Sequence, residues 1–222
     1  MFRNREDAAR KLAAKLQGRI FHKPLVLAIP RGGVVIGAVL AQELDAEVDV
    51  ILSRKLRAPG YPEYAIGAIA EDGQVYLNPH ADACLETAKG YLEEECRHQL
   101  VEIARRRNLF RGSRPPADAK DRSVIVTDDG IATGSTMIAA LQSLLRKPRE
   151  VIVAVPVASP DRLNEVGRWC DEVVCLLAPE DFWAVGQFYQ DFTQVEDEEV
   201  VRLLRRFSEG WQRREPAIAG AR

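Results

Sequence analysis

The sequence predicts an α/β domain: a parallel twisted sheet flanked by helices, with a small hood and one long inserted helix. Three observations predict it. The segments Leu25–Ile29, Val48–Leu52, Ser123–Thr127, Val151–Val157 and Val173–Leu177 are apolar at most consecutive positions rather than at alternate ones, the pattern of strands buried on both faces. Helix-length stretches with an apolar stripe separate most of them, so crossovers join the strands and the strands run parallel. No Pro-, Gly- or Ser-rich linker divides the 222 residues. One domain over residues 1–211 follows, with its core at about 20–175. The hood comes from 1–20 and 176–211, and residues 212–222 form a disordered tail.

The elements follow in order. Asn4 caps a first helix, in which Ala8, Ala9, Leu12, Ala13 and Leu16 recur at helical spacing before Gly18. The strand Leu25–Ile29 ends at Pro30, Arg31-Gly32-Gly33 reads as a loop, and Val34–Leu44 as a helix. After the strand Val48–Leu52, the polar stretch Arg54–Tyr64 reads as a loop. Ala65–Ala70 and Gln74–Leu77 flank Glu71-Asp72-Gly73 as a hairpin. Tyr91–Phe110 is the long inserted helix, acidic early (Glu93, Glu94, Glu95) and basic late (Arg105, Arg106, Arg107), as the helix dipole favours. After Ser123–Thr127 come a helix from Ser135 to about Leu145, the strand Val151–Val157, and a helix capped by Ser159 that runs to about Trp169. The strand Val173–Leu177, an irregular aromatic stretch Pro179–Phe192 and a helix Glu196–Phe207 complete the chain.

Composition excludes several classes. Hydrophobic residues are 46% and charged residues 29%, ordinary for a globular protein. Lys plus Arg is 31 against 33 Asp plus Glu, a net charge of −2, so no nucleic-acid partner is expected. Arg3, Arg5, Glu6 and Asp7 precede any apolar run, and no segment has the length of a membrane span, so a cytoplasmic protein without a membrane partner is expected. Cys84, Cys96, Cys170 and Cys175 fit no zinc spacing and read as reduced thiols. His22, His80 and His98 are too scattered in sequence to suggest a metal site or triad.

The run Val124–Thr136, V-I-V-T-D-D-G-I-A-T-G-S-T, carries the chemistry. A strand ends in two adjacent carboxylates, and a small-residue loop then enters a helix. Loop amides and a helix N-terminus favour a phosphate, and Ser and Thr hydroxyls add donors. Two carboxylates can accept hydrogen bonds from vicinal hydroxyls or approach a magnesium ion. Phosphate, diol and metal together describe a ribose 5-phosphate.

The run resembles the phosphoribosyl-pyrophosphate-binding motif of the type I phosphoribosyltransferases. That resemblance implies a transferase moving the 5-phosphoribosyl group of phosphoribosyl pyrophosphate to a nitrogenous base, with pyrophosphate released, Mg2+ as cofactor and a homodimer as assembly. It implies that Asp128 and Asp129 hold the ribose hydroxyls and the metal, while Gly130, Ala132, Thr133, Gly134, Ser135 and Thr136 hold the 5-phosphate. The family's pyrophosphate loop falls on Arg31, Gly32 and Gly33, and its second pyrophosphate contact on Arg54 and Lys55. Arg31, Lys55, Asp128 and Asp129 are thereby the catalytic candidates. The closing loop would be Leu56–Tyr64, with Arg57, Tyr61, Glu63 and Tyr64 as contributors. Asp181–Gly186 is similar to the base-binding hood of hypoxanthine-guanine enzymes, which implies Trp183 against the base with the Ala184 backbone beside it. Asp191 sits near the position that meets a ring NH.

Ala132 stands where purine-salvage motifs usually carry Asp, and no Lys lies between Val151 and Trp183, so a standard hypoxanthine or guanine acceptor is not implied. The helix inserted between Leu77 and Arg122 resembles a bacterial and archaeal phosphoribosyltransferase-like branch. Two rival readings stay open: a non-catalytic protein that binds the same donor and regulates a partner, and a hydrolase of a phosphoribosyl substrate.

Overall fold

The computed structural model describes residues 1–78, 81, 90–112, 115–144 and 148–212, and the backbone alone at 62, 63 and 208–212. The predicted tail beyond 212, His80, Cys84, Leu145 and the Glu63 side chain lie outside the described residues. The elements in chain order are α1 (Arg5–Leu16), β1 (Leu25–Ala28), α2 (Gly32–Glu43), β2 (Glu47–Val50), β3 (Ser53–Ala58), β4 (Tyr61–Ala70) and β5 (Val75–Leu77). There follow α3 (Tyr91–Arg111), β6 (Ser123–Thr127), α4 (Ser135–Gln142), β7 (Glu150–Val157), α5 (Pro160–Val166), β8 (Glu172–Leu177) and α6 (Asp197–Gln212).

Five strands form one parallel sheet in the order β2-β1-β6-β7-β8, as the consecutive apolar runs predict. Alternate residues feed opposite faces. Val26, Val48, Ile125, Ile152 and Val174 point toward α1 and α2, and Leu25, Leu27, Val124, Val126, Val153 and Val155 toward α4 and α5. Each fully buried aliphatic side chain contributes roughly 1.5–3 kcal/mol, so the two layers account for why these strands tolerate so few polar residues. The first 20 residues, assigned to the hood, put α1 on α2 and on the β7–β8 end of the sheet. The helix begins where the Asn4 side chain accepts the Asp7 N–H at 2.9 Å.

The second sheet is antiparallel, β3-β4-β5. It corrects the reading of Leu56–Tyr64, within the polar stretch Arg54–Tyr64, as a closing loop: β3 and β4 run through it. Leu56 and Ala58 of β3 are buried with Ile66 and Ile69 of β4 against α3 and α2 residues, and the charged residues between them disguise a strand whose other side is polar. Further differences concern helix ends: α4 stops at Gln142, and α6 runs on to Gln212 past Phe207. α2 starts at Gly32 rather than Val34, so two residues read as loop form its first turn. α5 stops at Val166 and tightens into a 3-10 turn at Gly167–Trp169, and Pro160 opens it where the Ser159 side chain makes no capping bond.

The inserted helix α3 is held at its C-terminal end by Arg111. Its Nε donates to Asp49 at 3.0 Å, its Nη1 to both Glu71 oxygens at 2.8 Å, and its Nη2 to the Val50 carbonyl. The Arg111 and Asp49 side chains are 3% and 2% exposed. Removing one member leaves charge buried without its partner. Arg111→Leu is therefore expected to lower the unfolding free energy by about 3 kcal/mol, read as a fall in the urea midpoint. An unchanged midpoint would show that the clamp does not hold the helix.

Candidate active site

The order of the parallel sheet reverses between β1 and β6, since β1 leads outward to β2 on one side and β6 to β7 on the other. Ligands of such sheets bind at this switch point, outside the carboxyl ends of the strands. Ala28 pairs with Thr127, and the Ile29 N–H donates to the Thr127 carbonyl at 2.9 Å. The segments 30–33 and 128–136 therefore leave the sheet side by side. Contact is so close that a Cβ on Gly32 would lie 1.9 Å from Asp129 Oδ2, and one on Gly33 would lie 2.9 Å from the Asp128 Cα. Both glycines are needed for the lack of a side chain.

The two carboxylates have different partners. Asp128 Oδ1 accepts the Asp129 N–H at 2.8 Å. Asp129 Oδ2 accepts Arg5 Nε at 2.8 Å, with the two side chains 11% and 15% exposed. Arg5 also donates from Nη1 to the Thr193 carbonyl at 2.8 Å, and its guanidinium lies 3.9 Å from the centre of the Phe192 ring. Tyr189 donates its hydroxyl to the Asp129 carbonyl at 2.7 Å. Burial, then the neighbouring Asp129 charge, pushes the Asp128 carboxyl well above the usual range. Burial also raises Asp129, against the opposing pull of Arg5. Burial and the same carboxylates raise the Tyr189 phenol, which stays a donor.

Beyond the carboxylates, Gly134 adopts φ +80° ahead of α4, a conformation other residues rarely take. The Ile138 N–H donates to the Gly134 carbonyl, but the amides of 132–136 donate to no acceptor among the described residues. Ala132 and Thr133 are exposed and Ser135 is buried. Lys55, Asp128, Gly130, Ala132, Thr133, Gly134 and Thr136 line one cleft of about 130 Å3, so seven of the residues singled out in the sequence converge on it.

The others lie around it. Arg31 turns its Nη1 to Glu196 at 3.3 Å, toward the start of α6. Arg54 donates from Nε to Gln99 at 3.0 Å, and Arg57 pairs with Glu95 at 2.8 Å. Trp183 is 89% exposed. The Trp183 and Ala184 amides donate to Gln187 Oε1 at 2.8 and 3.1 Å. Val185, just beyond, packs on Gly130. Asp191 accepts the Thr193 N–H and hydroxyl at 3.0 and 2.6 Å. Tyr61 and Tyr64 are exposed on the hairpin. Arg5 and Tyr189 escaped the sequence reading. Arg5 had a legible signal: it precedes Ala8, Ala9 and Leu12 by three, four and seven residues, so it sits on the buried face of α1, where a lone cation needs a buried partner.

No group of three or more His, Cys, Asp or Glu is placed to hold a metal among the described residues. The pair offers two carboxylates, one of them already engaged by Arg5. That donor set fits Mg2+, which commonly takes one or two carboxylates and completes its shell with water and ligand phosphates.

The profile of the phosphoribosyl transferase domain family matches residues 2–193. Two Mycobacterium tuberculosis proteins, named "Putative phosphoribosyl transferase MT0597" and "Putative phosphoribosyl transferase Rv0571c", are each 40% identical over 207 residues, 93% of this chain and 47% of theirs. The chain thus spans about half the length of these curated relatives. The crystal structure of TT1426 from Thermus thermophilus matches with a TM-score of 0.80 at 43% identity, covering 93% of this chain and 98% of that one.

Gly32→Ala forces a methyl into the Arg5–Asp129 contact and is expected to cost about 2 kcal/mol of stability, in the range of overpacking. Gly167→Ala meets nothing closer than 3.7 Å and is expected to be near neutral. Equal thermal midpoints for the two variants would disprove the close approach.

Proposed function

Because the chain belongs to the phosphoribosyl transferase family, we propose that it transfers the 5-phosphoribosyl group of phosphoribosyl pyrophosphate to a nitrogen of a base. The observation that carries this reading is one cleft lined by Asp128, of the adjacent carboxylate pair, and by the 132–136 turn, whose amides donate to no acceptor among the described residues. The amides, with Thr133, Ser135 and Thr136, suit the 5-phosphate. Asp128 and Asp129 suit the ribose hydroxyls a few ångströms away, and donors on those hydroxyls would offset the burial of the charges.

In the proposed reaction the anomeric C–O bond to pyrophosphate breaks, its electron pair leaves with the pyrophosphate, and a base nitrogen supplies the pair for the new C–N bond. Lys55 and the amides at the start of α2 stabilise the leaving charge. Arg31 lies at the same strand end and would have to leave Glu196 to join them. Mg2+, where bound, would be held by Asp128, Asp129 and ligand oxygens and would neutralise phosphate charge. Positioning and charge carry the catalysis, and no protein nucleophile takes part. A homodimer belongs to the same proposal, as does a cytoplasmic setting; no described helix is long and apolar enough to cross a membrane.

Pyrophosphate release, assayed with donor, Mg2+ and a panel of purine, pyrimidine and nicotinamide-type bases, tests the activity. Release that requires a base supports transfer, release without one supports hydrolysis, and none supports a donor-binding regulator. The double change Asp128→Asn with Asp129→Asn is expected to weaken donor binding about 100-fold or more, since two charge-assisted contacts are lost. Unchanged affinity by calorimetry would sink the site assignment. Trp183→Ala is expected to raise the acceptor KM about tenfold, the scale of one stacking contact, with the donor KM within about twofold. An equal effect on both, or none, would remove Trp183 from the acceptor site.

A further inference from the structure

Helix stability does not account for Arg5. It is the first residue of α1, at the end where the helix dipole favours an anion over a cation. Nor is its side chain needed to fasten the segment after β8, because residues 2 and 3 already bind that segment through the backbone. The Phe2 N–H donates to the Phe188 carbonyl at 2.8 Å, and the Gln190 and Asp191 N–H groups donate to the Phe2 and Arg3 carbonyls at 2.8 and 2.9 Å. The Phe2 and Tyr189 rings pack with 5.3 Å between their centres.

The segment instead holds Arg5. The Thr193 carbonyl takes Nη1, and the guanidinium lies against the Phe192 ring, which packs in turn on Tyr189 at 5.0 Å. A planar fork gripped on two sides has one orientation, and in it Nε meets Asp129 Oδ2. Asp129 is gripped a second time, by the Tyr189 hydroxyl on its carbonyl. The Asp129 N–H then donates to Asp128 Oδ1, and Asp128 is the member of the pair that lines the cleft.

We propose that Arg5 is a positioning residue for the donor. Acting through Asp129, and together with Tyr189, it sets the Asp128 carboxylate at the angle that accepts the ribose hydroxyls. The proposal rests on the phosphoribosyl reading and extends it, since both residues lie outside the run Val124–Thr136. In this role Arg5 need not touch the ligand, because a small misplacement of a group that does is itself costly.

The test is calorimetric titration of the full chain, without added metal, with ribose 5-phosphate and with inorganic phosphate. The readout is the ratio of the two affinities. Both probes carry the phosphate that suits the 132–136 turn, and only the first carries hydroxyls. Loss of a cation weakens both alike, and loss of folded protein lowers the number of sites rather than the ratio. Arg5→Gln is expected to lower the ratio about tenfold, the loss of one charge-assisted contact. Tyr189→Phe, which removes only the hydroxyl, is expected to lower it about threefold. Arg5→Lys keeps the charge without the fork and should stay near Arg5→Gln. A ratio unchanged in Arg5→Gln, or restored in full by Arg5→Lys, overturns the proposal, the second by making Arg5 a bare counter-charge. If the wild type binds ribose 5-phosphate no more tightly than phosphate, the phosphoribosyl reading falls and the proposal with it. If the wild type discriminates and only the variants disagree, that reading stands and the positioning role falls alone.

Discussion

Two half-buried carboxylates side by side just past β6 set the terms for the structure around them. An isolated buried charge costs several kcal/mol and two like charges cost more. The fold compensates only one of them. Arg5 crosses from α1 to Asp129, stacked on Phe192 and tied to the Thr193 carbonyl, so this side chain links the N-terminal helix, the segment after β8 and the end of β6. Asp128 gets a backbone amide and, among the described residues, no ion-pair partner. Asp128 lies just past β6, where a charge without a cation beside it is a cost to stability. A ligand that brings donors to Asp128, as the proposed function requires, would offset that cost.

The glycines follow from the same constraint. Asp129 meets Arg5 against the start of α2, and that contact leaves no room for a Cβ on Gly32, nor the Asp128 backbone for one on Gly33. The approach also aims the first amides of α2 toward the carboxyl end of the sheet. Two helix N-termini, of α2 and α4, thus flank one acidic pair. Positive dipole ends next to buried carboxylates moderate the repulsion that would otherwise open the site.

Most of the central sheet was legible in the sequence because strands buried on both faces leave no doubt about period or polarity. Ser123–Thr127 agrees residue for residue with β6. The Asp-Asp-Gly run and the Thr-Gly-Ser-Thr turn were legible because each residue type answers a local demand. What stayed hidden depends on partners distant in sequence. β3 reads as polar because Arg54, Lys55 and Arg57 face a cavity and a helix placed some 40 residues later, as with Arg57 and Glu95, 38 residues apart. Arg5 lies 124 residues from Asp129, and no spacing rule spans that distance, although its place on an apolar helix face marks it as a cation in need of a partner.

The inserted helix shows how a near-zero net charge conceals local design. Its charged residues read as a solvated face, and some of them are. Yet Arg111 is buried on Asp49 and Glu71, and Arg105 reaches within 3.8 Å of Asp197 on α6. The 21-residue helix docks by Ile103 and Phe110 in the core, with Leu92, Cys96 and Leu100 against it, and the ion pairs of Arg111 add a fixed point at its C-terminal end. Arg106 pairs with Glu102 on its own helix at 2.9 Å and lies beside the half-buried Arg54 of β3. The charges of α3 thus divide into those that hold the helix and those the helix holds out.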